Sequence, residues 1–189
     1  MPKDIRPTIS LDVDDCIADF VFAVGRKLGP PTKPGAYTLT EMFADSPVQA
    51  KALIHDAEFH SMLPPVSGAV AGVRQMVKST GAEVCYVSSR LPEFGTLTRA
   101  WLWHWRFPQG RVFCVGKTAG SKADCIKAQG ASLSIDDNPA ALDEIKLLTV
   151  SEPVVFDRPW NAGYEAMRMR GWDDWRRICA EAGLEMTDG

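Results

Sequence analysis

The chain has 189 residues, 46% of them hydrophobic and 24% charged, with a net charge of -3 at neutral pH. This length suits one globular domain with room for a small insertion, and the acidic balance argues against a partner that is a long nucleic acid. Five cysteines with no Cys-x-x-Cys spacing support neither a disulfide frame nor a zinc site. With no apolar leader at the start and no run of about 18 apolar residues, a cytoplasmic protein without a membrane span is expected.

Residues 8–11 read as a short buried strand running into Asp12, Asp14 and Asp15. Apolar residues at Ile17, Phe20, Val21, Val24 and Leu28 then follow helical spacing. Gly29-Pro-Pro-Thr-Lys-Pro-Gly35 breaks the pattern. Residues 39–43 and 48–59 read as helices, and nothing between Pro30 and Pro65 reads as a strand, so this stretch has the character of an insertion. A helix is expected over 68–80 and a strand over 83–87, ending at Ser88-Ser89-Arg90. Trp101, Trp103 and Trp105 alternate with the period of a strand, but a crossover element is needed over 97–106, and a helix is expected there. Strands over 111–115, 133–135 and 153–156 alternate with helices over 122–129 and 140–148, and a last helix covers 172–182.

Strands alternating with helices predict an α/β fold, a parallel sheet with right-handed crossovers and helices on its faces. Asp12, Ser88, Gly116 and Asp136 each fall just past the carboxyl end of an apolar strand, the edge where such sheets bind ligands. Clustered acids repel one another and lose hydration when buried, so a bound cation or phosphate would explain them. The residue types fit phosphoryl transfer. Asp12, fixed at its strand end, is the expected nucleophile. Asp14, on the turn, is placed to protonate the leaving oxygen and then to activate water. Asp136 would complete a cation site with Asp12 and the main-chain carbonyl of Asp14, with Asp137 acting through a metal-bound water. Ser88 and Ser89 would hold phosphate oxygens. The phosphate-binding lysine is either Lys117 or Lys122, with chain order favouring Lys122.

Asp12-Val-Asp-Asp-Cys, the apolar run into Ser88, Lys122 and Ile135-Asp-Asp137, in that order, resemble the four motifs of the haloacid dehalogenase superfamily. Within it, the segment from Asp12 to Phe20, Leu63-Pro-Pro-Val-Ser-Gly-Ala69, Val155-Phe-Asp-Arg-Pro-Trp-Asn161 and the stretch from Arg168 to Trp175 are similar to the 5'(3')-deoxyribonucleotidases. The resemblance implies a Rossmann-like core, residues 1–29 and 64–189, with a small helical cap over 30–63. It also implies Mg2+ as cofactor, an aspartyl-phosphate intermediate, a nucleoside monophosphate as substrate, and aromatic contacts to it for which Phe20, Tyr37, Phe43 and Phe59 are candidates. The chain departs from that family at Asp15, where Gly is usual, at Ser88, where Thr is usual, and at Arg90, where Pro is frequent.

Other features read as structural. Asp137-Asn138-Pro139 is also good helix-capping chemistry. Gly116-Lys117-Thr118 lacks the earlier glycine of a phosphate-binding loop, Arg111 standing in its place. The three histidines read as surface or packing residues, most of the six tryptophans as core, and Arg168 and Arg170 as a solvated face. Two other functions fit the same residues: a phosphatase of the superfamily acting on another small ester or a nucleic-acid end, and a phosphate- or nucleotide-binding module without turnover.

Overall fold

Apolar residues alternate between the two sides of each central strand, and that alternation makes the layers. In the computed structural model, which describes residues 6–118 and 121–187, the strands are β1 (Thr8–Leu11), β2 (Glu83–Ser88), β3 (Arg111–Cys114), β4 (Ala131–Asp136), β5 (Glu152–Phe156) and β6 (Met167–Met169). They form one parallel sheet in the order β3-β2-β1-β4-β5-β6. Ile9, Leu11, Val84, Tyr86, Leu133, Ile135, Val154 and Phe156 face one core, while Cys85, Val87 and Val155 face the other, as the two-residue period of a strand requires.

The first face is covered by α1 (Phe20–Leu28), α5 (Ala69–Thr80), α6 (Gly95–His104) and α9 (Trp175–Glu181), through Val24, Val73, Met76, Trp101 and Ile178. The second is covered by α7 (Ser121–Gln129) and α8 (Pro139–Leu148), through Ile126, Leu142 and Ile145. Full burial of each such aliphatic side chain contributes about 1.5–3 kcal/mol. At Gly72 a Cβ would stand 2.8 Å from Trp172, so the glycine lets α5 press onto that ring. Among the described residues no helix is long and apolar enough to cross a membrane. The expectation about a leader rests on residues 1–5, which lie outside the described residues.

Between α1 and α5 the chain forms three short helices, α2 (Leu39–Met42), α3 (Pro47–Leu53) and α4 (Ala57–Ser61), and no named strand among its described residues. The predicted helix over 48–59 is two helices, because Asp56 accepts a hydrogen bond from the Phe59 amide and starts a new one. Helix α1 begins at Phe20, not at Ile17 where the helical spacing starts, because residues 12–19 form a turn closed by the Ile17 and Ala18 amides on the Val13 carbonyl. The sheet has a sixth strand, β6, that the sequence did not suggest. It contains Arg168, which is therefore not on a solvated face. Its guanidinium reaches Asp157, Asn161 and the carbonyls of Asn161 and Tyr164 at 2.5–3.0 Å.

Candidate active site

β1 and β4 lie side by side at the centre of the sheet, where the strand order reverses, and a crevice opens beyond their carboxyl ends. Asp12 follows β1 directly and is tied to β4 by its amide, which donates to the Ile135 carbonyl at 2.9 Å. Asp136 ends β4. Lys122, on the first turn of α7, is buried between them, with its Nζ 3.0 Å from Asp12 Oδ1 and 2.7 Å from Asp136 Oδ2. Asp136 Oδ1 accepts from the Asn138 amide at 3.0 Å, so both oxygens of this carboxylate are engaged. Asn138 in turn caps α8, its side-chain oxygen accepting from the Ala140 and Ala141 amides. The capping role expected of this segment therefore coexists with the acidic cluster.

Asp12 is less well satisfied. Its Oδ1 is near the lysine but outside hydrogen-bond geometry, and it is a buried oxygen without a donor. Burial pushes its carboxyl well above the usual carboxylate range, against the pull of Lys122, and Asp136, Asp137 and Asp14 push the same way. Burial also raises Asp137 to about 7, with Asp136 and Asp15 adding to the effect. Lys122 pays for its own burial but is held charged by Asp12 and Asp136, which raise it above the ordinary lysine range. A buried Asp12 oxygen that faces the lysine charge but accepts no hydrogen bond, beside a second raised carboxyl, is a fit for a hard cation.

Donor atoms of Asp12, Asp137 and Cys16 lie within 4.8 Å of one another. Burial drives the Cys16 thiol up, so it stays protonated and is a poor partner for a hard ion. The carboxylates of Asp12 and Asp137 are the pair that fits, whereas Asp136 is committed to Lys122 and Asn138. Asp137 is itself positioned. Its Oδ2 accepts from the Trp160 indole at 2.8 Å and its carbonyl accepts from Asn161 Nδ2 at 2.8 Å.

Asp14 faces the crevice from the turn but is held by Arg90. The guanidinium donates to the carboxylate from Nε at 3.2 and 3.0 Å and from Nη2 at 2.7 Å. Burial acts to raise the Asp14 carboxyl, but the charge and hydrogen bonds of Arg90 outweigh it and hold the group below the usual range. Arg90 is itself fixed by Thr98, whose Oγ1 accepts from Nη1 at 3.0 Å. Asp15 turns away toward α1, where its Oδ1 accepts from the Val21 amide at 2.9 Å. Its φ is +59°, in the region where glycine is usual.

A cavity of about 450 Å³ opens over these groups, and Asp12, Asp14, Lys122 and Asp137 lie in its wall. Phe20 and Tyr37 also line it. Phe43 and Phe59 do not; they are buried in the core. Ser89 lines the cavity, whereas Ser88 is buried, its Oγ accepting from the Arg90 amide at 3.2 Å. Lys117 reaches the rim as an exposed side chain and Lys122 the floor. Tyr37 donates to Asn138 and so ties the segment before α2 to the edge of the site. Sequence reasoning missed the Arg90 hold on Asp14 and the Trp160 and Asn161 contacts to Asp137. The only signals for these were the resemblance around Asn161 and the departure at Arg90.

No family model matches the sequence, and no curated protein does. Solved structures do. The chain is similar to a HAD family hydrolase from Deinococcus radiodurans R1 with bound phosphate and sodium, at 11% identity and TM-score 0.65, over 96% of this chain and 98% of that one. It is similar to a HAD phosphatase from Thermococcus onnurineus, at 14% identity and TM-score 0.60, over 96% and 100%. It is also similar to a HAD-superfamily hydrolase of subfamily IA from Geobacter sulfurreducens PCA, at 12% identity and TM-score 0.57, over 91% and 95%. At such identities the likeness is one of fold: this is the Rossmann-like fold of the haloacid dehalogenase hydrolases.

Proposed function

We propose that the protein is a phosphatase of the haloacid dehalogenase type, acting on a small phosphomonoester through Asp12. The observation that carries this is the Asp12–Lys122–Asp136 arrangement at the reversal of strand order, with one Asp12 oxygen left without a donor. Asp12 attacks phosphorus while the bond to the leaving oxygen breaks, giving an aspartyl phosphate. Asp14 gives the leaving oxygen its proton, then takes one from the water that splits the acyl phosphate, returning Asp12 and releasing phosphate. For this Arg90 must yield one Asp14 oxygen, and the carboxylate, held below the usual range, must first take up a proton. Lys122 balances the negative charge on Asp12 and the phosphoryl oxygens, and Ser89 lines the same wall.

Mg2+ held by Asp12 and Asp137, with the Asp14 carbonyl, would screen the repulsion between the carboxylate and the phosphate. In this reading Asp137 takes the direct place at the cation and Asp136 orients Lys122, the reverse of the division expected from the sequence. Residues 30–63 act as the cap, an assignment supported by the Tyr37 tie to Asn138 and by the cavity walls that Tyr37, Thr38 and Ile54 supply.

The favoured substrate is a nucleoside monophosphate. The sequence resemblance supports it, and Phe20, Tyr37 and Trp160 give the cavity aromatic walls suited to a base. The experiment is phosphate release from a panel of nucleoside monophosphates, with Mg2+ and with chelator. Release that needs Mg2+ and ranks the nucleotides supports both levels of the reading. Release only from other esters removes the nucleotide and keeps the phosphatase. No release from any ester by folded protein leaves a binding module, a reading that the locked Asp14 favours.

A further inference from the structure

At the other end of the sheet, by the amino ends of β2 and β3, lies a cleft of about 760 Å³ that shares no lining residue with the acidic crevice. Its walls are the carboxyl halves of α5 and α6 and the turn from Arg106 to Gly110. Four of its lining residues are cationic, Arg74, Lys78, Arg99 and Arg106, and no described carboxylate lines it. All four are exposed, and none makes an ion pair or a side-chain hydrogen bond among the described residues. Trp103, 79% exposed, stands with them.

The spacing is ordered. Arg74 and Lys78 are four apart on α5, as are Arg99 and Trp103 on α6, so each pair shares one helix face. Like charges so spaced repel, and proximity to a helix carboxyl end offsets this only in the last turn, where Lys78 lies but Arg74 does not. Arg106 has φ +60°, just past α6, where the Arg106 and Phe107 amides close the helix on the Trp103 and Leu102 carbonyls. Glycine is the usual residue in that conformation, and the arginine brings a fourth cation to the rim.

Cations without partners around an exposed indole match a ligand with several phosphates and one flat ring. We propose that this cleft binds a nucleoside di- or triphosphate, the phosphates held between Arg74, Lys78, Arg99 and Arg106 and the base stacked on Trp103. The site is separate from the acidic crevice and does not depend on what that crevice hydrolyses.

The test is calorimetric titration in chelator with adenosine 5'-(β,γ-methylene)triphosphate, tripolyphosphate and a decathymidylate strand. The proteins are wild type, the Arg74→Glu/Arg99→Glu double variant and Trp103→Ala. We expect saturable nucleotide binding that falls about tenfold or more in the double variant, and in Trp103→Ala drops to the level of tripolyphosphate. Nucleotide binding unchanged in both variants overturns the proposal, as does wild-type affinity for tripolyphosphate equal to that for the nucleotide. Tighter, cleft-dependent binding of the strand overturns it in favour of a single-strand surface. Hydrolysis of an aryl phosphate by the same proteins should be unchanged, which separates loss of the cleft from loss of fold.

Discussion

Arg90 grips the carboxylate of Asp14 with three hydrogen bonds, and the pair lies almost wholly out of solvent on the arginine side, whose side chain is 1% exposed. The group proposed to protonate the leaving oxygen is thus the best-anchored acid in the crevice.

Arg90→Ala should cost about 3–5 kcal/mol, because it leaves a partly buried carboxylate unpaired. The pH dependence has a definite sign. Asp14 is lowered in the folded state, so its contribution to stability is present above the ordinary carboxyl pKa and is lost as pH falls through the lowered value. Removing Arg90 should abolish that acid-side loss and move the alkaline limb of the pH–rate profile upward. Urea unfolding across acid pH and the rate profile check the two effects.

Asp12→Asn should abolish phosphate release, by on the order of 10⁴-fold or more, with the fold intact. Burial disfavours the charge that is removed, and Lys122 keeps its hydrogen-bonded ion pair to Asp136, so the melting temperature should hold. Retained hydrolysis in this variant would remove Asp12 from the nucleophile role.

Asp15→Asn should change stability rather than chemistry. Burial raises Asp15 to about 8, against the Val21 hydrogen bond. Between the unfolded carboxyl value near 4 and about 8, the folded chain holds a proton that the unfolded chain has lost, so stability falls as pH rises through that window. The amide keeps an acceptor for Val21 and tolerates the positive φ. Denaturation in chelator from pH 5 to pH 8 should show a flatter slope, with a remainder from Asp12, raised well above the usual range, and from Asp137, raised to about 7.

Asp137→Asn and Asp136→Asn should separate the cation from the lysine. Mg2+ a hundredfold above its dissociation constant should stabilise wild type by about 2.7 kcal/mol. Asp137→Asn should lose that increment at little other cost. Asp136→Asn should keep a Mg2+ response but lose about 3–5 kcal/mol, since Lys122 is left with Asp12 alone. Thermal melts with and without Mg2+ read both.

The strand ends were legible because each is an apolar run stopped by polar residues, and stringing them in order placed Asp12, Ser88, Gly116 and Asp136 on one edge. Strand β6 was not legible. Met-Arg-Met is too short to show a period, and its central arginine reads as a surface residue until its pairing with Asp157 and its hydrogen bond to Asn161 are seen. The tryptophan alternation at 101–105 would have misled had the crossover not been required, since Trp101 is buried and donates to the Leu63 carbonyl while Trp103 points to solvent. Which of Asp136 and Asp137 is free for a cation depends on where Lys122 and Trp160 lie, contacts made across distant segments that no local pattern encodes.

β1 is the first strand of the chain and β4 the fourth, yet they are neighbours. During synthesis the Asp12–Asp15 turn therefore leaves the ribosome long before Lys122 and β4 exist to receive it. A nascent chain that has finished β1, β2 and β3 can pair them in order, but its acidic turn still lacks the buried lysine. Burial of that turn therefore waits until Lys122 and β4 have emerged and docked beside β1.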